Sequence, residues 1–232
     1  MSHHTRPKQS RRRARRIPGA SSAGRSWTHQ PLSIPHPWAE GTPASLLAPT
    51  RWTLASALAA CEACGALGCE GVVIEWPNDL YHDGRKLAGT LTELRSLGGS
   101  VEEVIVGTGF NVNHGAEDFP AVLENRATSL AIVLDGRAVD RERLASLYVE
   151  RLGALVALVE CGGWDDLVAE WSRHAPSAVG ARVAVSGAHG HEGEGYEALT
   201  RGVDDSGALR VERPDGTIVS IYSNASVTWL EA

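Results

Sequence analysis

The 232-residue chain has no run of about 18 apolar residues, and its basic N-terminus leads into sequence rich in proline and serine. The lack of a long apolar run argues against a membrane-spanning helix. The lack of an apolar segment after the basic N-terminus argues against a secretory signal peptide. We therefore expect a cytoplasmic protein. Cysteine is also scarce, because four residues at positions 61, 64, 69 and 161 do not make a disulfide framework in a chain of this size.

Acidic residues are almost absent from the first 51 positions, where nine Lys and Arg accompany the single acid Glu40 and give a charge of +8. The remaining residues carry thirteen basic and twenty-seven acidic side chains, which give −14. An acidic body argues against sequence-independent binding of nucleic acid, because neutralising phosphates requires a basic face. The arginine run at 11–16 is the one candidate for such a face, so a nucleic-acid-binding arm is kept as a minor alternative.

The first 51 residues also differ from the rest in proline content and periodicity. They contain seven of the eleven prolines and no sustained apolar period of 2 or 3.6, so we expect a poorly ordered head. Beyond it, apolar patterns predict three helices and three strand regions. The helices span about 52–67, 140–160 and 164–173, and the strand regions are 72–76, 86–94 and 103–106 with 110–112.

From Gly180 onward the chain consists of short alternating runs separated by Gly-rich turns. Strands spaced this closely are typical of a small all-β barrel. The runs are 182–186, 194–203, 207–213 and 216–221. The sequence thus predicts an α/β domain over 52–178, followed by a small β domain over 179–232.

Cys61 and Cys64 form a C-x-x-C pair, but the pair lies in an Ala/Leu run with strong helix propensity. A zinc site would need a second pair of ligands at suitable spacing, and none is evident. We interpret both thiols as small apolar residues of a helix.

The most informative stretch is Glu75–Leu80 (Glu-Trp-Pro-Asn-Asp-Leu), followed closely by Gly84–Glu93 (Gly-Arg-Lys-Leu-Ala-Gly-Thr-Leu-Thr-Glu). It places a single lysine, Lys86, between glycines in an otherwise apolar run, a combination that packing alone does not need. The missing side chain at Gly89 lets a ligand approach the backbone. The alternative is a solvated lysine on an edge strand.

Together with Gly107–Asn113 (Gly-Thr-Gly-Phe-Asn-Val-Asn), these stretches resemble the catalytic core of biotin protein ligases, and the likeness runs from about Trp52 to the C-terminus. Members of that family make biotinyl-AMP from biotin and ATP with Mg²⁺, then pass the biotinyl group to a lysine of a biotin carboxyl carrier protein. The resemblance implies the same activity here, a mixed-sheet α/β catalytic domain of the biotin/lipoate ligase type, and an SH3-like C-terminal barrel. It leaves a homodimer open.

The resemblance also assigns roles to individual residues. Lys86 would be a catalytic residue that contacts the biotin carboxylate and the adenylate phosphate, where a cation gathers two anions and stabilises developing charge. Asp79 would be a second catalytic residue near the reacting phosphate or its Mg²⁺, since magnesium prefers one or two carboxylates plus phosphate oxygens. The other residues implied to bind biotin or the adenylate are Gly89, Asn78, Asn111, Gly107, Gly109, Arg25 and Trp27.

Structural alternatives exist for several of these residues. Asn78 and Asp79 are also typical turn formers that bond their own backbone. The Gly107/Gly109 pair is also consistent with a β-bulge, and Arg25 with Trp27 matches the family over three residues only. Ala127–Leu130 resembles the family as well, and there we interpret Thr128 and Ser129 as a helix cap without chemistry.

The chain departs from the family pattern in three places. Glu75 stands where lysine normally opens the Trp-Pro-Asn-Asp motif. If its side chain points inward, replacing a cation by an anion about 4 Å from a phosphate changes their interaction energy by several kcal/mol at an effective dielectric of about 20. If the side chain points to solvent, the replacement costs almost nothing. The closing pattern Gly-acid-Val-x-Leu-Arg has become Ala-Ser-Val-Thr-Trp-Leu at 225–230. The head lacks the glycine- and arginine-rich loop and the Ser-Thr-Asn-type segment that holds the biotin ring.

These departures leave two functions open. The chain is either an active biotin–carrier-protein ligase or an impaired homologue that keeps the fold, with or without carrier binding. Lipoate-type ligases share the core fold, and the sequence distinguishes biotin from lipoate as the acid only through the family motifs. A reading-frame change or misassigned start is our hypothesis for the unusual head.

Overall fold

The computed structural model describes residues 48–97, 100–186, 195–222 and 226–230. The arginine run at 11–16, Arg25 and Trp27 lie outside these ranges. Within them, the α-helices are Pro49–Ala66 (α1), Leu130–Val133 (α2), Arg141–Glu160 (α3) and Trp164–His174 (α4). Short 3₁₀ helices span Ala116–Asp118, Ala121–Leu123 and Pro176–Ala178. No helix in the described ranges is long and apolar enough to cross a bilayer.

Nine strands are described, and they fall into two antiparallel sheets. The first sheet contains Val73–Glu75 (β1), Asp79–His82 (β2), Arg85–Leu97 (β3) and Ser100–Phe110 (β4), in that spatial order. The strands of the second sheet are Val179–Ser186 (β5), Tyr196–Val203 (β6), Leu209–Glu212 (β7), Ile218–Ile221 (β8) and Ser226–Trp229 (β9). Their spatial order is β8-β7-β6-β5-β9.

The Ala-rich helix α1 lies at the centre of the first domain. It is apolar on all sides, and fourteen of its eighteen residues are buried, as expected for a helix enclosed by other elements. It contacts the first sheet as well as α3 and α4. The helix begins at Pro49, three residues before its predicted start, so Thr50 and Arg51 are buried parts of this domain although they were expected in the head.

The two cysteines of the C-x-x-C pair are free thiols buried in α1. Burial raises the pKa of Cys61 to about 12, and it raises the pKa of Cys64 as well. Protonated thiols in an apolar core neither bind zinc readily nor act as nucleophiles. Their position agrees with the interpretation of both residues as small apolar side chains of a helix.

A tight hairpin joins β2 to β3. Asp83 and Gly84 at its tip have positive φ of 48° and 70°, the conformation that an Asp-Gly hairpin turn requires. The sequence analysis missed β2, because Pro77-Asn78-Asp79 has the composition of a turn. As a result β1 pairs with β2, and β2 pairs with β3.

Side chains alternate between the two faces of the first sheet, as in any strand. Its inner face packs on the core through buried residues such as Ile74, Leu80 and Ala88. Its outer face carries Asp79 and the solvent-exposed Leu91, of which 63% is accessible. The residues predicted to bind a ligand therefore have an open surface on which to act.

Four hydroxyl groups form a buried cluster directly under this sheet. Ser56 on α1 lies 3.1 Å from the Thr90 hydroxyl, 2.9 Å from that of Thr108 and 2.8 Å from that of Tyr148. Thr108 is also 3.0 Å from Thr90 and 2.8 Å from Tyr148. The cluster links α1, β3, β4 and α3, and since its groups satisfy one another it stabilises their relative positions.

The predicted architecture of an α/β body followed by a small β domain is confirmed. Helices α3 and α4 lie within one residue of their predicted bounds, because their apolar residues recur at helical spacing. Strand β9 is an addition to the four predicted runs of the second domain, and it pairs with β5 at its edge.

We expect Ser56→Ala to lower the free energy of unfolding by about 1–3 kcal/mol, because it removes the group at the centre of the cluster and leaves buried hydroxyls short of a partner. Urea unfolding measures this. Ser146→Ala is the matched control, since Ser146 is exposed on α3 and donates only to the Glu142 carbonyl of its own helix. Equal stability of the two variants would contradict a supporting role for the cluster.

Candidate active site

Lys86 and Asp79 form an ion pair on the outer face of the first sheet. The Lys86 Nζ atom lies 2.5 Å from Asp79 Oδ2. The lysine side chain is 44% exposed and that of the aspartate 23%, so the ammonium group remains open to solvent on one side. The pair joins adjacent strands β2 and β3, and it presents a cation whose position is set by a carboxylate.

The pair depends on a glycine at position 89. Gly89 is opposite Asp79 in the strand register, and a Cβ atom there would lie 2.8 Å from Asp79 Oδ1 and 3.3 Å from the Lys86 Cε atom. Any other residue would therefore displace the carboxylate or the lysine. Position 89 is therefore a glycine for a steric reason within the protein, whereas the sequence suggested only that glycine leaves room for a ligand.

The backbone of Lys86 is held from the other side by the segment that precedes α2. The Lys86 amide donates to the Arg126 carbonyl at 2.8 Å, and the Thr128 amide donates to the Lys86 carbonyl at 2.9 Å. Asn111 adds a longer bond from its side-chain amide to the same carbonyl, at 3.4 Å. The Asn111 side chain therefore contacts the backbone of Lys86, and its predicted hydrogen bond to the adenylate stays a prediction.

Asn78 is likewise bound to the sheet. Its side-chain nitrogen donates to the Thr90 carbonyl at 2.6 Å, while its own carbonyl accepts from the Thr90 amide at 2.9 Å. These bonds hold the chain where the turn at Pro77 enters β2. Within the structure Asn78 supports Asp79, and its predicted contact with the adenylate stays a prediction.

The two glycines at 107 and 109 keep the neighbouring part of the outer face low. Gly109 is exposed and opposite Gly89, and Gly107 is opposite Leu91. No Cβ atom rises from β4 at these positions, so the surface beside the lysine has room for a flat ligand. Their role in binding an adenylate remains a prediction as well.

Glu75 also lies beside this site, next to Asp79 across the β1–β2 pair. Its carboxyl group is half-buried. Burial, together with the smaller effect of the nearby Asp79 charge, raises the pKa of Glu75 to about 7, and the nearby Tyr81 hydroxyl and Trp229 indole oppose this shift. Burial also raises the pKa of Tyr81 to about 12, so this hydroxyl remains a donor at neutral pH.

The arrangement around Asp79 does not fit a magnesium ion held by the protein alone. One carboxylate oxygen is bonded to Lys86, and the other is buried against Gly89 without a hydrogen-bond partner. An octahedral ion with its waters would have to displace Lys86 from one oxygen or desolvate the buried other one. Among the described residues, Glu62, Glu170 and His174 also form a group with metal-ligand chemistry, but both of its carboxylates are paired with arginines.

Two contributors to this site were not predicted from the sequence. Tyr81, which is opposite Lys86 in the strand register, escaped notice because β2 was not predicted. Thr128 lies in the stretch that resembles the family, but we interpreted that stretch as a helix cap alone. The cap is confirmed, since the Ser129 hydroxyl accepts from the Ile132 amide at 3.2 Å, yet the same stretch also anchors Lys86.

Two family profiles match the sequence. Residues 32–111 match the biotin/lipoate A/B protein ligase family, and residues 190–225 match the biotin protein ligase C-terminal domain. A biotin–[acetyl-CoA-carboxylase] ligase of Paracoccus denitrificans is 31% identical over 177 residues, which cover 73% of this chain and 70% of that protein. The bifunctional ligase/repressor BirA of Bacillus spizizenii is 30% identical and is matched over 50% of its length and 74% of this chain.

Solved structures resemble the fold. Biotin protein ligase from Aquifex aeolicus gives a TM-score of 0.68 at 22% identity, covering 81% of this chain and 78% of that one. The same enzyme in complex with biotin and ATP gives 0.67 at 22% identity, covering 81% and 75%. This chain spans about half the length of the first BirA relatives it matches, between 44% and 50%.

The raised pKa of Glu75 predicts a pH-dependent stability. A carboxyl group whose pKa is higher in the folded than in the unfolded state stabilises the fold when protonated; this contribution is complete below about 4.5, falls as pH rises, and is lost above about 7. The unfolding free energy of the wild type, minus that of Glu75→Gln, should therefore decrease between pH 5 and pH 7 and level off above 8. Urea unfolding across this range measures it, with Glu93→Gln on the exposed face of β3 as control. Parallel curves for the wild type and Glu75→Gln would contradict the assignment.

Proposed function

The chain belongs to the biotin/lipoate A/B protein ligase family, and from this membership together with the geometry we propose that it activates biotin as biotinyl-AMP and transfers the biotinyl group to a lysine of a biotin carboxyl carrier protein. The names of its relatives support biotin as the acid and a carboxylase as the source of the acceptor. The partner in this proposal is the carrier protein, and the small-molecule substrates are biotin and ATP.

The observation that carries the proposal is the Lys86 ammonium group, fixed by Asp79 on an open, glycine-lined sheet face. Joining a carboxylate to a phosphate brings two anions together, so the reaction needs a cation at the point where they meet. A lysine held at 2.5 Å by a carboxylate is oriented before substrates arrive. Such preorganisation is what makes a charged group effective in a transition state.

In the first step a biotin carboxylate oxygen attacks the α-phosphorus of ATP. The new bond joins that oxygen to phosphorus, the bond from phosphorus to the bridging β-phosphate oxygen breaks, and pyrophosphate leaves with the electron pair. Lys86 is assigned the role of stabilising the negative charge that develops on the α-phosphate oxygens. Asp79 is assigned to holding Lys86 in place, with Gly89 leaving the necessary space.

In the second step the amine of the acceptor lysine attacks the carbonyl carbon of biotinyl-AMP. An amide bond forms, the carbon–oxygen bond to the phosphate breaks, and AMP leaves. The amine loses a proton in this step, and we assign no residue of this chain to it. Asn111 and the Gly107/Gly109 pair are proposed to border the adenylate.

Magnesium enters the proposal as the ion that accompanies ATP through its phosphate oxygens. This agrees with the preference of Mg²⁺ for phosphate and water over an all-protein cage, and with an Asp79 carboxylate already bonded to Lys86. Arg25 and Trp27 as nucleotide contacts, a homodimer and a cytoplasmic location stay predictions from the sequence.

We expect Lys86→Gln to lower kcat/KM for pyrophosphate release by roughly a hundredfold or more, the usual effect of deleting one preorganised group that stabilises transition-state charge. The assay supplies biotin, ATP and Mg²⁺ to purified protein. Arg85→Gln is the matched control, because it removes the neighbouring cation from the same strand, where successive side chains point to opposite faces. Folded wild-type protein that releases no pyrophosphate would favour the impaired homologue over the ligase.

Asp79→Asn separates orientation of Lys86 from binding of magnesium. If the carboxylate only orients the lysine, kcat falls while the Mg²⁺ concentration for half-maximal activity stays that of the wild type. If Asp79 is a metal ligand, that concentration rises severalfold. Titrating Mg²⁺ at a fixed ATP concentration measures both, and the second outcome would restore the direct magnesium contact.

A further inference from the structure

One turn of the C-terminal domain contacts the first residue of the Trp-Pro-Asn-Asp motif. The β6–β7 turn, residues 204–208, lies between the strands that end at Val203 and begin at Leu209. The carbonyl of Gly207 in this turn accepts a hydrogen bond at 3.0 Å from the indole nitrogen of Trp76. The tryptophan is only 4% exposed. Its indole N–H is thus a buried donor whose partner comes from the other domain, and such a bond is costly to break.

The β6–β7 turn is held in shape by the carboxylate of Asp204. That carboxylate accepts from the amides of Ser206 and Ala208 at 2.8 and 3.1 Å, and from the hydroxyls of Ser206 and Ser220 at 2.6 Å each. The Gly207 amide donates to the Asp204 carbonyl at 2.9 Å. The carbonyl that receives Trp76 is therefore presented by a turn whose own polar groups are satisfied.

The same turn is seated on the start of α1. Gly207 has a φ of +82°, and a Cβ atom there would lie 3.2 Å from the Thr50 side chain. The Arg51 Nε atom donates to the Asp205 carbonyl at 2.6 Å, and the Arg51 guanidinium lies 4.4 Å from the ring centroid of Trp164. Arg51 is buried, so its donors need these partners. The turn is thus fixed to the first domain beside Trp76 as well as at Trp76.

The motif is bound to the first sheet at its third residue. The Asn78 side-chain nitrogen donates to the Thr90 carbonyl, and the Asn78 carbonyl accepts from the Thr90 amide. Between Asn78 and Trp76 lies Pro77, whose ring fixes φ. The segment that leads into Asp79 is therefore short, stiff and held at two points, one of which belongs to the C-terminal domain. A shift of Trp76 would be passed to Asp79 through two residues.

We propose that Trp76 is a positioning residue for the Asp79–Lys86 ion pair, and that the β6–β7 turn of the C-terminal domain holds it in place. Trp76 is buried and acts through Asp79, so its loss should slow the chemical step more than it weakens binding. A small displacement of a preorganised charge is enough to reduce a rate. The kinetic part of this inference rests on the proposed ligase function, whereas the restraint on residues 76–79 does not.

Trp76→Phe tests the proposal in the full chain, because it keeps an aromatic ring and removes the N–H donor. We expect kcat for pyrophosphate release to fall roughly five- to tenfold, the rate equivalent of one net hydrogen bond. The KM for biotin should stay within about twofold of the wild-type value, as when an interaction made in the transition state is lost. Both are measured at a temperature where circular dichroism shows each variant to be folded.

Trp171→Phe is the matched control. Trp171 on α4 is fully buried, and its indole nitrogen has no hydrogen-bond partner within the described part of the chain. The substitution leaves a similar cavity in the core and therefore lowers stability, but it removes no link to the motif. We expect its kcat to stay near that of the wild type. Equal kcat values for folded Trp76→Phe and Trp171→Phe would overturn the proposal.

Arg51→Gln tests whether the turn acts through Trp76, because it removes the Nε donor to the turn and leaves the indole in place. Alone it should lower kcat severalfold. In the Trp76→Phe background it should lower kcat little further, since the path from the turn to the motif is already broken. Full additivity of the two substitutions in kcat would show that the turn does not act through the tryptophan.

Hydrogen exchange of the Thr90 amide decides the structural part without any activity. This amide donates to the Asn78 carbonyl, so its exchange reports how firmly the motif is held. Relative to amides in the middle of α3, it should exchange at least about threefold faster in Trp76→Phe and in Arg51→Gln than in Trp171→Phe. The comparison with α3 removes the effect of lower global stability. An unchanged relative rate would overturn the restraint itself, whereas faster exchange in a chain that releases no pyrophosphate would contradict only the ligase function.

Discussion

An ammonium group held 2.5 Å from a carboxylate oxygen on an open sheet face is the feature on which the site depends. The contact exists because Gly89 has no side chain where Asp79 and Lys86 meet, and because the lysine backbone is bonded to the segment before α2. An exposed ion pair contributes little to stability. The ion pair instead orients the lysine, because a side chain that is already held in place loses less conformational entropy when two anionic substrates bind.

Partial burial explains how a glutamate is tolerated next to this lysine. Glu75 is half-buried in the first sheet, opposite Asp79, and this burial raises its pKa to about 7. A carboxyl group that is partly protonated near neutral pH repels a phosphate less than a fully charged one. The electrostatic objection that Glu75 raised in the sequence is therefore weaker in the folded chain.

The fold could be predicted where one period dominates a long segment, as in α3, and where a turn has a strong local signal, as at Asp83-Gly84. It could not be predicted where residue types have two uses. Pro77-Asn78-Asp79 has the composition of a turn, but Asp79 also starts β2 because Gly89 offers it a partner across the sheet. The site residues Lys86, Asp79 and Asn111 were selected by resemblance, and the structure brings them together, with Asn78 and Asn111 bonded to backbone carbonyls.

By itself the sequence determined the order of the elements, the change from an α/β body to short strands near Gly180, and the unusual lysine between glycines at 86. These are local properties, readable from periodicity, turn chemistry and residue type. Only the tertiary structure decided that Asp79 pairs with Lys86, that Thr128 anchors the lysine, and that Trp76 donates to the carbonyl of Gly207, 131 positions later in the chain. Such contacts arise from the packing of distant segments around α1, and a one-dimensional pattern carries no information about which distant side chains that packing places within hydrogen-bonding distance.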